Sequence, residues 1–294
     1  MSAAGTDKGG VRIKEVIYSP HYGFYINKVH REAGYEMASF HIHRKFELYY
    51  QTEGTRKYFI GDAVYLIKAG DVAIIDQDDP HKTASMDDSP HTRIVMNFNS
   101  EYLEKLSALV PVSDLLCVFT MDVKVLGLSM KQRIVVGNLF ERLCDLPQKD
   151  DPDKDILSVL LLAELLLILK RYAEEQKNSD YQSPRLSNKT IDRITKYISE
   201  HYASALNLQS IAAQFFISPF YLSRLFKKTM GISIVEYINS VRIRMAMHLL
   251  ESTNLSVTGV SERVGFQTYS HFNRVFKQST GLSPSQYRKY YRVK

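Results

Sequence analysis

Ser218 to Gly231, SPFYLSRLFKKTMG, decides how this chain is read. Ser218 can cap a helix N-terminus through its side-chain oxygen, and Pro219 follows in the first turn, where a missing N–H costs nothing. Leu222, Leu225 and Phe226 fall at i, i+3 and i+4, the spacing of a core-facing stripe. Arg224, Lys227 and Lys228 lie off that stripe, and Gly231 supplies a left-handed residue to end the helix. A single basic helix is usually only a solvated face. This one has a second copy downstream. Thr268 to Gly281, TYSHFNRVFKQSTG, repeats the Arg-x-Phe-Lys core at Arg274, Phe276 and Lys277 and closes on the same glycine. Two copies of one unit are the simplest account.

The flanking residues say what that unit is. Ile211 and Ala212 stand 13 and 12 residues before Arg224, and Val260 stands 14 before Arg274. A bracing helix, a tight turn and a second helix at that spacing make a helix-turn-helix, whose second helix fits the major groove of DNA. The two units match apart from one residue in the turn, where Gly265 gives the second its bend. Between them, Ser233 to Glu251 places Val235, Ile238, Val241, Met245, Leu249 and Leu250 at helical spacing. At 1.5 Å per residue that helix is about 28 Å long, enough to hold two recognition helices roughly one DNA turn, ~34 Å, apart. Ser283-Pro284-Ser285-Gln286 is a capping box that opens a final helix. A helical interaction scaffold is the alternative, but it explains neither the basic faces nor the paired Arg-x-Phe-Lys.

Charge divides the chain in the same place. Residues 184–294 carry 16 Lys and Arg against 5 Asp and Glu; residues 1–183 carry 22 against 27, and the overall formal charge is +6. A basic last third on a mildly acidic body fits a nucleic-acid-binding module attached to a domain with another task. With 294 residues, 45% of them hydrophobic, the chain has room for two packed domains. Cys117 and Cys144 lack metal-ligand spacing and read as core residues of a reducing, cytoplasmic compartment. The most apolar run, Ile156 to Leu169, is too short to span a bilayer and contains Glu164. The expectation is a soluble protein.

From residue 185 onward the chain resembles the DNA-binding domain of AraC/XylS-type transcription regulators. IAAQFFISPFYLSRLFKKTMGIS and VGFQTYSHFNRVFKQSTGLSPSQYR follow both helix-turn-helix signatures of that family nearly end to end. The resemblance implies that Pro219, Phe220, Ser223 and Arg224 face the groove from the first recognition helix. Tyr269, Ser270, His271, Asn273 and Arg274 do so from the second. Arginine can pair with guanine, asparagine with adenine, and phenylalanine can touch a thymine methyl. Arg224 is read as a base contact, and Arg274 as a base or a phosphate contact. Lys227, Lys228 and Lys277 are read as phosphate or solvent residues, and Phe226 and Phe276 as core.

Ahead of this region the pattern is different. From residue 11 to about 98, short Tyr-, Phe-, Ile- and Val-rich runs, MASFHIH among them, are broken by Gly54, Gly61 and Gly70, which argues for a small β-barrel or sandwich. Tyr25, Tyr49, Tyr58 and Tyr65 are strand aromatics, some placed to stack on a sugar. Helical spacing follows near 101–109, 127–145 and 154–176. Leu157, Leu160, Leu161, Leu165, Ile168 and Leu169 make the last helix apolar around most of its circumference, so it needs cover on more than one side, including from a second subunit. Lys177 to Ser187 reads as a linker, and residues 1–10 as a flexible arm.

His41-x-His43, then Glu47, Gly54, Gly70 and Pro80-His81, resembles the cupin barrel pattern, with Lys68 where that pattern has proline. The resemblance implies that His41, His43, Glu47 and His81 converge inside the barrel. Three readings of that set stay open: an effector pocket, which would include Tyr49, a metal site, or plain barrel structure.

The expectation is thus an α+β chain in three parts. Residues 11–176 form a cupin-like effector-binding and dimerisation domain, 177–187 a linker, and 188–294 a double helix-turn-helix domain. The function expected is a cytoplasmic, homodimeric regulator, an activator working with RNA polymerase. It would be controlled by a small molecule, a carbohydrate being one candidate, with no cofactor. The alternative is a metal-dependent cupin enzyme on a DNA anchor.

Overall fold

A computed structural model describes residues 15–18, 23–37, 40–87, 89–146, 151–178, 185–186 and 188–291, so the expected N-terminal arm lies outside the described residues. The described residues of the first half form nine strands: β1 Glu15–Tyr18, β2 Phe24–Arg31, β3 Phe46–Glu53, β4 Thr55–Ile60, β5 Ala63–Lys68, β6 Val72–Ile75, β7 His81–Ser85, β8 His91–Phe98 and β9 Val125–Leu126. They form two antiparallel sheets, of strand order β1-β2-β8-β3-β6-β9 and β5-β4-β7.

Strand parity sorts the larger sheet into two faces, because successive side chains point to opposite sides. On one face the rows Phe24–Phe98–Phe46, Ile26–Met96–Leu48 and Lys28–Ile94–Tyr50 align across β2, β8 and β3. Most of these pack under the helices α1 Val112–Thr120, α2 Met130–Asp145 and α3 Lys154–Lys177 in one apolar core. On the other face the rows Tyr25–Asn97–Glu47, Asn27–Val95–Tyr49 and Val29–Arg93–Gln51 are largely polar or aromatic. They meet the smaller sheet, and Tyr49, Tyr58, Ile67 and Val95 are buried together between the two.

Several expectations change here. The helix expected over 101–109 is a pair of short 3₁₀ turns, and α1 follows in a stretch given no element. Of the MASFHIH run, the described residues 37 and 40–43 form no strand and carry a single bridge, between His41 and His81. Cys144 is buried as expected, but Cys117 is half-buried, its thiol donating to the Asp114 carbonyl at 3.0 Å. Part of the expected linker is tied down, since Arg185 pairs with Tyr65 and the Leu186 amide donates to the Val64 carbonyl at 2.7 Å. In α3, Leu161, Leu165 and Leu169 are buried, whereas Leu160 is exposed together with Ile156 and Leu167.

The second half is helical: α4 Lys189–His201, α5 Leu208–Gln214, α6 Pro219–Met230, α7 Ile234–Ser252, α8 Val257–Arg263, α9 Tyr269–Thr280 and α10 Pro284–Tyr291. The expected caps at Ser218 and Ser283 form, and Thr268 adds one that was not expected. Ser218 Oγ accepts the Tyr221 amide, Thr268 Oγ1 accepts the His271 amide, and Ser283 and Gln286 bond reciprocally. Phe226 and Phe276 are fully buried, one in each of two separate cores. The turns of the two units reach one shape differently. Gly265 has φ +90°; Phe216, at the matching place in the first unit, has φ +56°, a conformation unfavourable for a bulky residue.

The two halves dock through named contacts. Phe40, Phe59, Val64 and Ala84 of the sheet domain join the core of the first helix-turn-helix, and Ile42 joins that of the second. Gly231, the left-handed residue ending α6, is the seat for Phe59: a Cβ there would meet the ring at 2.7 Å. Buried Lys82 reaches the Gly231 carbonyl at 3.5 Å, a cation at a helix C-terminus. Gly281 ends α9 with φ +78° and open space around it. Alanine at either glycine therefore carries the left-handed penalty, of about 1–2 kcal/mol, but only Gly231→Ala also displaces Phe59. Denaturant unfolding is expected to show Gly231→Ala as clearly the more destabilising; equal losses would mean that Phe59 docking contributes nothing.

Candidate functional site

Two sites stand out, joined by one short segment. The first is the outer surface of the recognition helices. Among the residues expected to face DNA, Pro219, Phe220, Ser223, Arg224, Lys227 and Lys228 of α6 are exposed, as are Tyr269, Ser270, Arg274 and Lys277 of α9. His271 and Asn273 are half-buried. Burial, then the charge of Arg274, holds the His271 imidazole below its usual pKa, and its ring meets Phe266 edge-on at 5.4 Å. Phe220 is 73% exposed, with the Arg224 guanidinium 5.9 Å from its ring centre. An exposed aromatic under an arginine, at the start of a capped helix, suits a surface that meets another molecule better than one that meets water.

The second site is a cavity of about 390 Å³ between the sheets. All five residues expected at the effector site, His41, His43, Glu47, Tyr49 and His81, line it. Glu47, from the polar face of β3, is its centre. Its Oε1 accepts from the Tyr58 hydroxyl at 2.8 Å, and its Oε2 lies 3.2 Å from His43 Nε2 and 3.6 Å from His81 Nε2. Burial alone would raise the Glu47 pKa; the facing His81 and His43 outweigh it and hold the carboxyl well below the usual range. Burial likewise disfavours the His81 cation, but Glu47 reverses that and raises its pKa.

Both imidazoles are oriented from behind. His43 Nδ1 lies 3.2 Å from the Lys45 carbonyl and His81 Nδ1 2.9 Å from the Asp79 carbonyl. A carbonyl only accepts, so each Nδ1 carries a proton and each Nε2 is turned toward Glu47. Among the described residues, His43, Glu47 and His81 form the one group whose ligand atoms, all within 4.8 Å of one another, could hold a metal ion. Two imidazoles and a carboxylate suit a divalent transition metal with positions left open, and the backbone carbonyls would be its outer shell. His41 is exposed and its ring centre is 6.5 Å from that of His81, so it lines the cavity without joining the group.

The sequence reading missed Asn27, Tyr35, Lys45, Asn97 and Arg93, which also line this cavity. Parity could have found two of them: Asn97 and Arg93 lie at even spacing from Val95 on β8, across from Glu47 and Gln51.

Phe40 to Arg44 joins the two sites. His41 and His43 face the cavity, while Phe40 and Ile42 are buried against the helices. The His41 amide and carbonyl pair with His81 at 3.0 Å each, and the Ile42 amide donates to the Ser279 carbonyl in the last turn of α9 at 3.3 Å. Arg44 pairs with Glu251 of α7 at 3.2 Å.

Comparison with known proteins agrees with this two-part plan. Residues 26–166 match the family profile described as an AraC-like ligand binding domain, and residues 211–290 match a helix-turn-helix domain. The uncharacterized HTH-type transcriptional regulator YijO of Escherichia coli (strain K12) is 38% identical over 140 residues, 48% of each chain. The arabinose operon regulatory protein of the same organism is 33% identical over 153 residues, 52% of this chain and 50% of that one. The chain thus spans about half the length of the curated relatives it matches. Among solved structures, a crystal form of ToxT from Vibrio cholerae covers 91% of this chain and 98% of its own at 14% identity, with a TM-score of 0.39. Among the described residues, no helix is long and apolar enough to cross a membrane. By its two matched domains, the chain belongs to the AraC family of helix-turn-helix transcriptional regulators.

Proposed function

We propose that the protein is a sequence-specific DNA-binding transcription regulator whose sheet domain, read as a cupin-like barrel, takes a small-molecule effector. The observation that carries this reading is the paired exposure of Arg224 and Arg274 on capped helices whose phenylalanines, Phe226 and Phe276, are fully buried. In both copies the motif arginine is displayed while the motif phenylalanine is buried. α7, with its 19 residues, is about 28 Å long, so the two helices can enter successive major grooves on one face of the duplex.

The effector would act through residues 40–44. A ligand that moves His41 or His43 moves a backbone whose next side chains sit in the helix-turn-helix cores. Both sites can then bias one equilibrium, as allosteric coupling requires. A carbohydrate fits the cavity's tyrosines and amides, and the name of the arabinose operon relative points the same way. Ile156, Leu160 and Leu167, exposed on α3, support a homodimer formed through that helix. Activation through RNA polymerase in the cytoplasm completes the proposal. The relatives compared above are named as regulators, so the enzyme reading gains no support.

Two measurements test it. In binding titrations on a selected operator, Arg224→Ala is expected to cost about 1–3 kcal/mol and relax preference at one base pair. Lys228→Ala should weaken all duplexes alike and flatten the salt dependence; identical behaviour of the two variants would refute this division. Separately, Ile42→Ala is expected to cost about 2–4 kcal/mol of stability and, although remote from DNA, to change operator affinity. Unaltered affinity in a folded variant would remove residues 40–44 from the mechanism.

A further inference from the structure

The cavity is electrostatically lopsided. At one end Glu47 is balanced by His43 and His81. At the other stands Arg93, with Arg56 behind the lining and only the exposed Glu36 near enough to act on Arg56. Arg93 lines the cavity from β8, its guanidinium carbon 5.6 Å from the Tyr49 ring centre, and it makes no ion pair among the described residues. Arg56, on β4, is 1% exposed. Its Nη2 donates to the Tyr35 carbonyl at 2.7 Å, while its Nε and Nη1 have no partner among the described residues. Next to them His91 is 1% exposed, and neither ring nitrogen has a partner among the described residues. Burial, then Arg56 and Arg93, pushes its pKa down to about 3. The acids of this region, Glu36 and Glu53, are exposed, and Glu53 is engaged by Thr92.

A fully buried guanidinium with two unmet donors, beside a second unpaired cation, is costly unless an anion completes it. Arginine's planar fork suits a carboxylate or phosphate. Lys45 adds a further cation to the lining, and its amides, imidazoles and tyrosines suit hydroxyls and the faces of a sugar ring. We propose that the effector is an acidic sugar, its anionic oxygens held by Arg93 with Arg56 behind it and its hydroxyls directed toward Glu47 and the histidines. The proposal rests on the effector reading above and narrows it from a carbohydrate to an anionic one.

The test uses the purified full chain and follows thermal stability and calorimetric binding at constant ionic strength. The probes are glucose, glucuronate, glucose 6-phosphate, acetate and inorganic phosphate. Compact oxyanions are expected to stabilise the protein at millimolar concentration, glucuronate or glucose 6-phosphate more than their fragments, and glucose least. Which of the two is preferred decides between carboxylate and phosphate. Arg93→Gln is expected to weaken anion binding about ten- to a hundredfold, and Arg93→Lys to retain part of it; circular dichroism confirms that both are folded. Glucose binding as well as glucuronate, or binding that survives Arg93→Gln, overturns the anion seat while leaving the effector reading intact. So does a lack of Arg93-dependent stabilisation by any of the oxyanions. Arg93-dependent binding that leaves operator affinity unchanged would do the reverse: the seat stands and the effector reading falls.

Discussion

Five consecutive residues, Phe40 to Arg44, hold this structure together as one machine. An extended backbone sends alternate side chains to opposite sides, and here those sides belong to different domains. His41 and His43 enter the cavity; Phe40 and Ile42 each enter the core of one helix-turn-helix unit. Burying two such apolar side chains is worth roughly 2–3 kcal/mol each, so the segment cannot leave one domain without a measurable cost in the other. Its hydrogen bonds divide in the same way, to His81 in the sheet domain and to Ser279 in α9.

The consequence is that both DNA-facing units are referenced to the same wall of the cavity. The first unit is held more extensively, through Phe59 seated on Gly231, with Val64 and Ala84 in the same core. The second is held through Ile42 and the end of α9. Neither contact covers Arg224 or Arg274, which remain exposed. The sheet domain thus sets where the recognition helices sit without occupying the surface they display.

Much of the helical half could be read from the chain, because caps and glycines act over three or four residues. Ser218, Thr268, Ser283 and Gly281 do what local chemistry dictates. The convergence of His43, Glu47 and His81 followed from spacing by resemblance to a known barrel. What escaped the reading depends on distance along the chain. α1 and β7 carry weak periodicity and owe their form to what they pack on. Residues 40–44 looked like a strand, because alternation records two differing environments and does not name them. Arg56 and Arg93 were given no role, and only the pairing of β2, β8 and β3 turns Arg93 inward. Phe216, in a conformation that the second unit gives to Gly265, could not be read from composition at all.

Hydrogen exchange with and without a specific operator duplex shows whether the recognition helices and the cavity are coupled. Coupling is reciprocal, so DNA bound to α6 and α9 must be felt at the cavity wall. Exchange of the backbone amides over residues 40–44 and 81–85 is expected to change when the duplex binds. Protection confined to α6, α9 and their immediate neighbours, with the 40–44 and 81–85 amides unaltered, would contradict that coupling.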